Sequence, residues 1–351
     1  MGTRRIAGAT HAVGRFGILG AVLAIAALAM AGCGSGGGSG DTINLYNGQH
    51  VQTTDALVQS FEQQTGITVE VHTDDESVLA DQIVTEGSRS PADVLFTENS
   101  PPLAYLESKG LLTHLPASAR AHTQARFDSS AGDWVGITAR VSVLVYNPSI
   151  IKASDLPTSV LQLADPRYKG LLALAPGETD FQPIVTSVLR ADGKAATLKW
   201  LEGLKSNAAS HIYPDNETIV SEVNAGQAGL GVINQYYWYR LRAEIGAGAM
   251  HSVIIHFAPR DPGYVLDVSG AAVLRSSKHQ ADAIRFVRFL TTKKAQEIVA
   301  HSDSFEYPID SGAVTAAPET PFDRLKPNPI SLNELGTGAA AVALLQQVQL
   351  L

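Results

Sequence analysis

"ARVSVLVYN", Ala139 to Asn147, is the stretch on which the fold turns. It is rich in β-branched residues, which suit a buried pleated strand, and it breaks a regular alternation that precedes it. In that alternation "INLY" (Ile43 to Tyr46), "ITVEV" (Ile67 to Val71) and "ADVLFT" (Ala92 to Thr97) read as short strands. Between them lie two helices. One carries Leu57, Val58 and Phe61, is capped by Thr53 or Thr54 and ends at Gly66; the other runs from about Val78 to Glu86 and closes at Gly87. Strands separated by helices of this length imply a parallel sheet covered on both faces.

A second set of units follows the long strand. "LLALA" (Leu171 to Ala175) and "LGVI" (Leu230 to Ile233) read as strands, and a helix from Ala195 to Leu204 aligns Leu198, Leu201 and Leu204 on one face. Further helices are expected near Thr218 to Ala225, from about Tyr236, from Gln280 to Leu290 and from Lys293 to Ala300. "GYVLDVSGAAVL", Gly263 to Leu274, is a second long strand. The expected fold class is α/β, with two lobes joined by two long hinge strands around an interdomain cleft. Strand length changes near Arg140 and Val265, where the chain would cross between lobes. There is no internal repeat.

The 351 residues leave room for about two domains, and 45% hydrophobic against 17% charged residues lets both bury a core. Arg4, Arg5 and Arg15, with no acid in the first 32 residues, leave the remainder at −11 against −8 for the whole chain. An acidic body carries no basic footprint for nucleic acid and suits a cationic ligand. Residues 1–32 read as a targeting segment: the arginines precede an apolar run, Gly17 to Gly32, that stops at Cys33, the sole cysteine. "LAMAGC" resembles a bacterial lipoprotein signal, with Cys33 the lipid-bearing residue that anchors the exported protein to the outer face of the membrane. "GSGGGSG", Gly34 to Gly40, is then a flexible tether.

Open α/β sheets bind ligands beyond the carboxyl ends of their strands. After "INLY" comes "NGQH", ending in His50; after "ADVLFT" comes Glu98; after "LGVI" come Asn234, Tyr236 and Tyr237. Taken singly, His50 reads as a loop residue, Glu98 as a solvated carboxylate and the tyrosines as an aromatic corner. Together they offer an imidazole, a carboxylate and two phenols. A hard, highly charged cation such as Fe³⁺ suits that set, since a phenol of ordinary pKa near 10 ionises when a metal takes the proton's place. Adjacent helical residues differ by about 100°, so Tyr236 and Tyr237 can share a cleft while Trp238 and Tyr239 turn toward packing.

"INLYNGQH", "PADVLFTEN", "GLGVINQYYWYRL" and "SGAAVLRSSKHQADAIRFVRFL" resemble segments of the bacterial periplasmic ferric-ion-binding proteins, the solute receptors of iron ABC importers. The likeness runs in order from about Asp41 to near Leu350. It implies the type II periplasmic-binding-protein-like fold, with residues 41–140 and 267–317 in one lobe and 141–266 and 318–351 in the other. It implies Fe³⁺ as transported ligand, held by His50, Glu98, Tyr236 and Tyr237, no catalysis, a monomer, and an ABC permease with its ATPase as partners. That family often completes the iron shell with phosphate or carbonate, held by a small-residue loop and two asparagines. Asn216 and Asn234 match the asparagines; the loop, here "APGETDF", does not. Glu178 stands where a serine would bond the anion, with Thr179 and Asp180 beside it. Glu178 is therefore expected to replace the anion, by ligating iron or an inner-shell water, with Arg140 neutralising Glu178 or an anion. The alternative leaves Glu178 facing solvent and the anion on Asn216 and Asn234. Two other classes compete: a same-fold receptor for a phosphonate, thiamine-like compound or polyamine, and a metal-dependent hydrolase, for which the chain offers no metallohydrolase motif or nucleophile elbow.

Overall fold

A computed structural model of the chain describes residues 41–310 and 320–351. The targeting segment, the tether and Cys33 lie outside the described residues, as do 311–317 of the first expected lobe. The first half of the chain folds as β1 (Thr42–Asn47), α1 (Val51–Thr65), β2 (Thr68–Thr73), α2 (Glu76–Glu86), β3 (Val94–Thr97), α3 (Ser100–Ser108) and β4 (Trp134–Tyr146). Next come β5 (Leu172–Ala173), α4 (Phe181–Ala208), α5 (Asn216–Ala225), β6 (Leu230–Asn234), α6 (Gln235–Ile245) and β7 (Val253–Ile255). The chain closes with β8 (Leu266–Val273), α7 (Gln280–Leu290), α8 (Lys293–Ala300), β9 (Tyr307–Pro308), α9 (Leu332–Leu335) and α10 (Ala339–Gln347).

β4 is buried along its whole length and belongs to both halves of the sheet. Its residues Trp134 to Val141 pair antiparallel with β8, and Ser142 to Tyr146 pair antiparallel with β6. The strand order is β2-β1-β3-β8-β4-β6-β5, with β7 and β9 also pairing β4. The sheet is mixed where a parallel one was expected. β1 is parallel to β2 and β3, and β5 to β6, whereas β8 and β4 run against their neighbours. Only the strands joined through helices are parallel; the two long strands return through the middle and reverse the direction.

Several boundaries move, each for a local reason. α1 is capped by His50, and Thr53 and Thr54 lie buried inside it, where the Thr54 hydroxyl donates to Asn47 Oδ1 at 2.9 Å. β8 starts at Leu266 because Asp261 Oδ1 accepts from the Gly263 and Val160 amides and holds that stretch in a turn. β5 keeps only Leu172 and Ala173 of the expected five residues, since Leu174 bridges to Ile212 instead. The helix expected from Ala195 begins at Phe181 and is kinked at Gly193, whose φ of 77° no other residue type adopts freely.

One apolar cluster lies between α1, α7, α8 and the outer face of the β1–β3 half, with Phe61 fully buried against Phe286 (ring centroids 5.0 Å) and Phe289 (5.6 Å). It is separate from the aromatic residues of the cleft. Phe61→Ala should destabilise the protein by about 3–5 kcal/mol in urea denaturation and leave ligand affinity of the folded fraction unchanged.

Candidate metal centre

Four strand ends meet at one cleft. β1 runs into "NGQH", where Gly48 passes so close to α2 that a Cβ there would lie 2.6 Å from Glu76 Cβ. That approach sets His50 at the start of α1. β3 delivers Glu98, β6 delivers Asn234 and then Tyr236 and Tyr237 in the first turn of α6, and β5 leads through "APGETD" to Asp180 at the start of α4. His50, Glu98 and Tyr237 line a cleft of about 390 Å³, with Tyr236 and Asp180 in contact with them.

His50 Nδ1 sits 2.8 Å from Glu98 Oε1, and its ring meets that of Tyr236 edge-on at 5.1 Å. Its other nitrogen, Nε2, is buried without a partner. An unpaired buried ring nitrogen is costly unless something else binds it. Tyr236 is fully buried and Tyr237 nearly so, their rings 4.1 Å apart. Tyr237 donates to Asp180 Oδ2 at 2.8 Å; Tyr236 lies 3.4 Å from both that oxygen and Glu98 Oε2. Asp180 is held from two sides, with Asn99 Nδ2 donating to Oδ1 at 2.9 Å and Asn216 Nδ2 to Oδ2 at 3.0 Å. Among the described residues no three His, Cys, Asp and Glu side chains alone form a metal-holding group. A site here has to use the phenols.

The electrostatics agree. Burial pushes both phenol pKa values well above their ordinary value, and the carboxylates of Asp180 and Glu98 push the same way. Without a cation, the phenols keep their protons and donate to the carboxylates. Burial raises the Glu98 carboxyl too, but His50, Arg140 and Arg240 together outweigh it and hold Glu98 at about 2. Burial, then Asp180, Glu217 and Glu98, push Glu178 up to about 8.

The sequence-based candidates divide. His50, Glu98, Tyr236 and Tyr237 come together. Asn216 reaches the site through Asp180, and Asn234 caps α6 directly before the tyrosines. The Thr179 hydroxyl lies 3.2 Å from that of Ser77, across the cleft wall. Glu178, expected in the anion's place, stands half-buried on the cleft wall; Asp180, two residues on, reaches the phenols. α4 starts at Phe181 rather than Ala195, which turns Asp180 inward. Arg140 is also corrected. It pairs with Glu306 and donates to Asn99 Oδ1 at 3.2 Å, with its guanidinium 5.5 Å from the Tyr236 ring. Trp238 and Tyr239 do turn to packing: Trp238 donates to the Ser252 carbonyl at 3.2 Å, and Tyr239 meets Trp238 edge-on. Asp180, Asn99 and Glu306 were not among the candidates. The strand-end rule applied to β5 reaches the loop that carries both Glu178 and Asp180 without choosing between them.

The family described as bacterial extracellular solute-binding protein matches residues 47–297. The "Fe(3+)-binding periplasmic protein" of Serratia marcescens is 39% identical over 302 residues, covering 86% of this chain and 89% of that protein. The "Major ferric iron-binding protein" of Neisseria meningitidis is 35% identical over 335 residues, 95% of this chain and 97% of that one. The chain belongs to the ferric-ion-binding group of the bacterial extracellular solute-binding proteins. Iron-bound HitA from Pseudomonas aeruginosa superposes with a TM-score of 0.83 at 40% identity, over 88% of this chain and 99% of that one. The fold is therefore the two-lobed one of ferric-ion-binding proteins, and these relatives bind iron rather than catalyse a reaction.

Burial and the neighbouring carboxylates tie the Glu178 charge to stability. Its carboxyl favours the folded state while protonated, fully below about pH 4.5, and that contribution is lost as pH rises through about 8. Glu178→Gln cannot ionise. Its iron-free form should match the parent near pH 5 and melt several degrees higher at pH 9, at roughly 2–4 °C per kcal/mol. Thermal melts at the two pH values check this.

Proposed function

We propose that this protein captures Fe³⁺ in its interdomain cleft with His50, Glu98, Tyr236 and Tyr237, and that Asp180 takes the place of an exogenous anion as a fifth protein donor. The observation that carries the reading is the buried phenol pair sharing one carboxylate, beside an imidazole nitrogen with no partner. Two carboxylates and two phenolates carry four negative charges. Fe³⁺ cancels three of them, and the fourth faces the field of Arg140, which lies 5.5 Å from the Tyr236 ring while paired with Glu306. The Asn216 amide, expected to receive an anion, is given to Asp180, and the Asn99 amide is shared between Asp180 and Glu76. Phosphate has little left to bind.

Members of this family serve ABC importers, and the Serratia relative is a periplasmic protein. We take this chain to deliver iron to such a permease, working as a monomer and tethered through a lipid on Cys33. The lobes are taken as 41–140 with 267–317 and 141–266 with 318–351, in line with β4 changing neighbours between Val141 and Ser142. Ligands from both lobes give the cation its differential affinity for the closed state.

Titrating the soluble protein, truncated after Cys33, with ferric citrate should give one iron per chain and a tyrosinate-to-iron charge-transfer band. Tyr237→Phe should lose most of that band. No colour and no binding would sink the ferric reading in favour of another small ligand. Phosphate should not change the wild-type spectrum; in Asp180→Asn, binding should weaken and become phosphate-dependent. Binding releases the phenol protons, so affinity should fall as pH falls, read by chelator competition between pH 7.5 and 5.5.

A further inference from the structure

Gln235, the residue before the phenol pair, has an unusual place in the sheet. On the edge of β4 opposite β8, Thr138 and Ala139 pair with β9, and Ser142 onward pairs with β6. Arg140 and Val141 fall in the gap. Continuing the β9 register (Thr138 with Pro308, Ala139 with Tyr307) sets Arg140 opposite Glu306 and Val141 opposite Phe305. Arg140 and Glu306 make a fully buried ion pair, and Thr138 Oγ1 donates to the same carboxylate at 3.0 Å. At the next position the backbone ladder fails, because Phe305 sits at φ 55°, in the left-handed region that a bulky residue rarely adopts.

The Gln235 side chain fills that position. Its Oε1 accepts from the Val141 amide at 2.9 Å, and its Nε2 donates to the Phe305 carbonyl at 3.2 Å. A carboxamide has the donor and acceptor of a peptide group, so it stands in for one missing rung. Gln235 is almost fully buried. Val141 is also where β4 passes from pairing β8 to pairing β6, the point about which the two halves of the sheet would rotate.

We propose that Gln235 is a positioning residue, a clasp that ties the phenol-bearing start of α6 to both chain segments at the hinge, so that lobe rotation and phenol placement move together. Its side chain grips Val141 and Phe305, and its main chain leads directly into Tyr236. Opening the hinge has to strain or break the clasp, which slows iron loss from the closed state. The iron arm of the test rests on the ferric reading; the exchange arm does not.

Gln235→Leu removes both bonds at similar size. Gln235→Glu keeps an acceptor for Val141 and loses the donor to Phe305. In the iron-free protein, hydrogen exchange should speed up in the leucine variant at Val141 and through the first turn of α6, while β1 to β3 stay as in the parent. Unchanged exchange at Val141 would overturn the clasp whether or not the protein binds iron. In the loaded protein, release to excess chelator should quicken roughly tenfold for leucine, by less for glutamate, with the charge-transfer band shifted. Release within twofold of wild type and an unmoved band would overturn the coupling. Should the leucine variant fail to fold, the glutamate variant decides through the bond it loses: wild-type exchange in the first turn of α6 together with wild-type release would overturn the clasp.

Discussion

Buried negative charge that lacks a matching cation governs this cleft. Glu98, Asp180, Tyr236 and Tyr237 meet within hydrogen-bond reach, and burial with mutual repulsion keeps the phenols protonated. In this state each phenol proton is a small positive charge placed between oxygens. A hard trivalent ion does the same work far better, with shorter contacts and no need for separate donors. On the proposed reading the donors stand together before the metal arrives, at the cost of crowding four acidic groups and leaving His50 Nε2 unpaired. Such strain is kept where function needs it and the surrounding structure holds it in place. Asn99 and Asn216 are part of that holding, each donating to one Asp180 oxygen.

The same constraint explains which parts of the site were legible in the sequence. His50, Glu98 and the tyrosines each follow a strand recognisable from its apolar run, so the strand-end rule finds them. Asp180 follows β5, which has two residues, and precedes a helix whose first half carries Pro183 and the Asp192-Gly193 break. Local signals there argue against a helix, and the loop "APGETDF" was read for its first carboxylate instead of its second. Glu306 could not be found that way, and Gln235, though it directly follows β6, shows nothing of its role there. Their roles depend on a register between β4 and residues 305–308 that no local pattern encodes.

Much of the fold was legible because most elements carry their own pattern. α7 and α8 fall at the expected residues, since each has a clean apolar stripe. The sheet direction was not legible: β1 to β3 read as a parallel unit, which they are, but nothing local says that β8 and β4 return antiparallel through the centre. The α3 helix (Ser100–Ser108) was also missed. Its Pro101 and Pro102 look like breakers, yet they lie in its first turn, where proline removes no helical bond.

Glu306 and Gln235 both lie at the hinge, and this follows from what a hinge must do. A continuous backbone ladder from β9 into β6 would fuse the two halves of the sheet into one stiff surface. An open gap would leave the Val141 amide and the Phe305 carbonyl unpaired in the interior, which costs more than a hydrogen bond returns. A side-chain carboxamide resolves the conflict. It satisfies both groups in this state, and two side-chain hydrogen bonds can give way when the hinge opens and re-form when it closes, which a continuous peptide ladder cannot do as readily. The Arg140–Glu306 pair beside it adds little net stability, because desolvating two charges consumes most of their attraction. Its value is positional: it fixes a guanidinium 5.5 Å from the Tyr236 ring, where a phenolate would need it. The hinge and the proposed metal site therefore lie side by side, with Gln235 directly before Tyr236 and Arg140 against its ring, which is why the proposal couples them without any longer path.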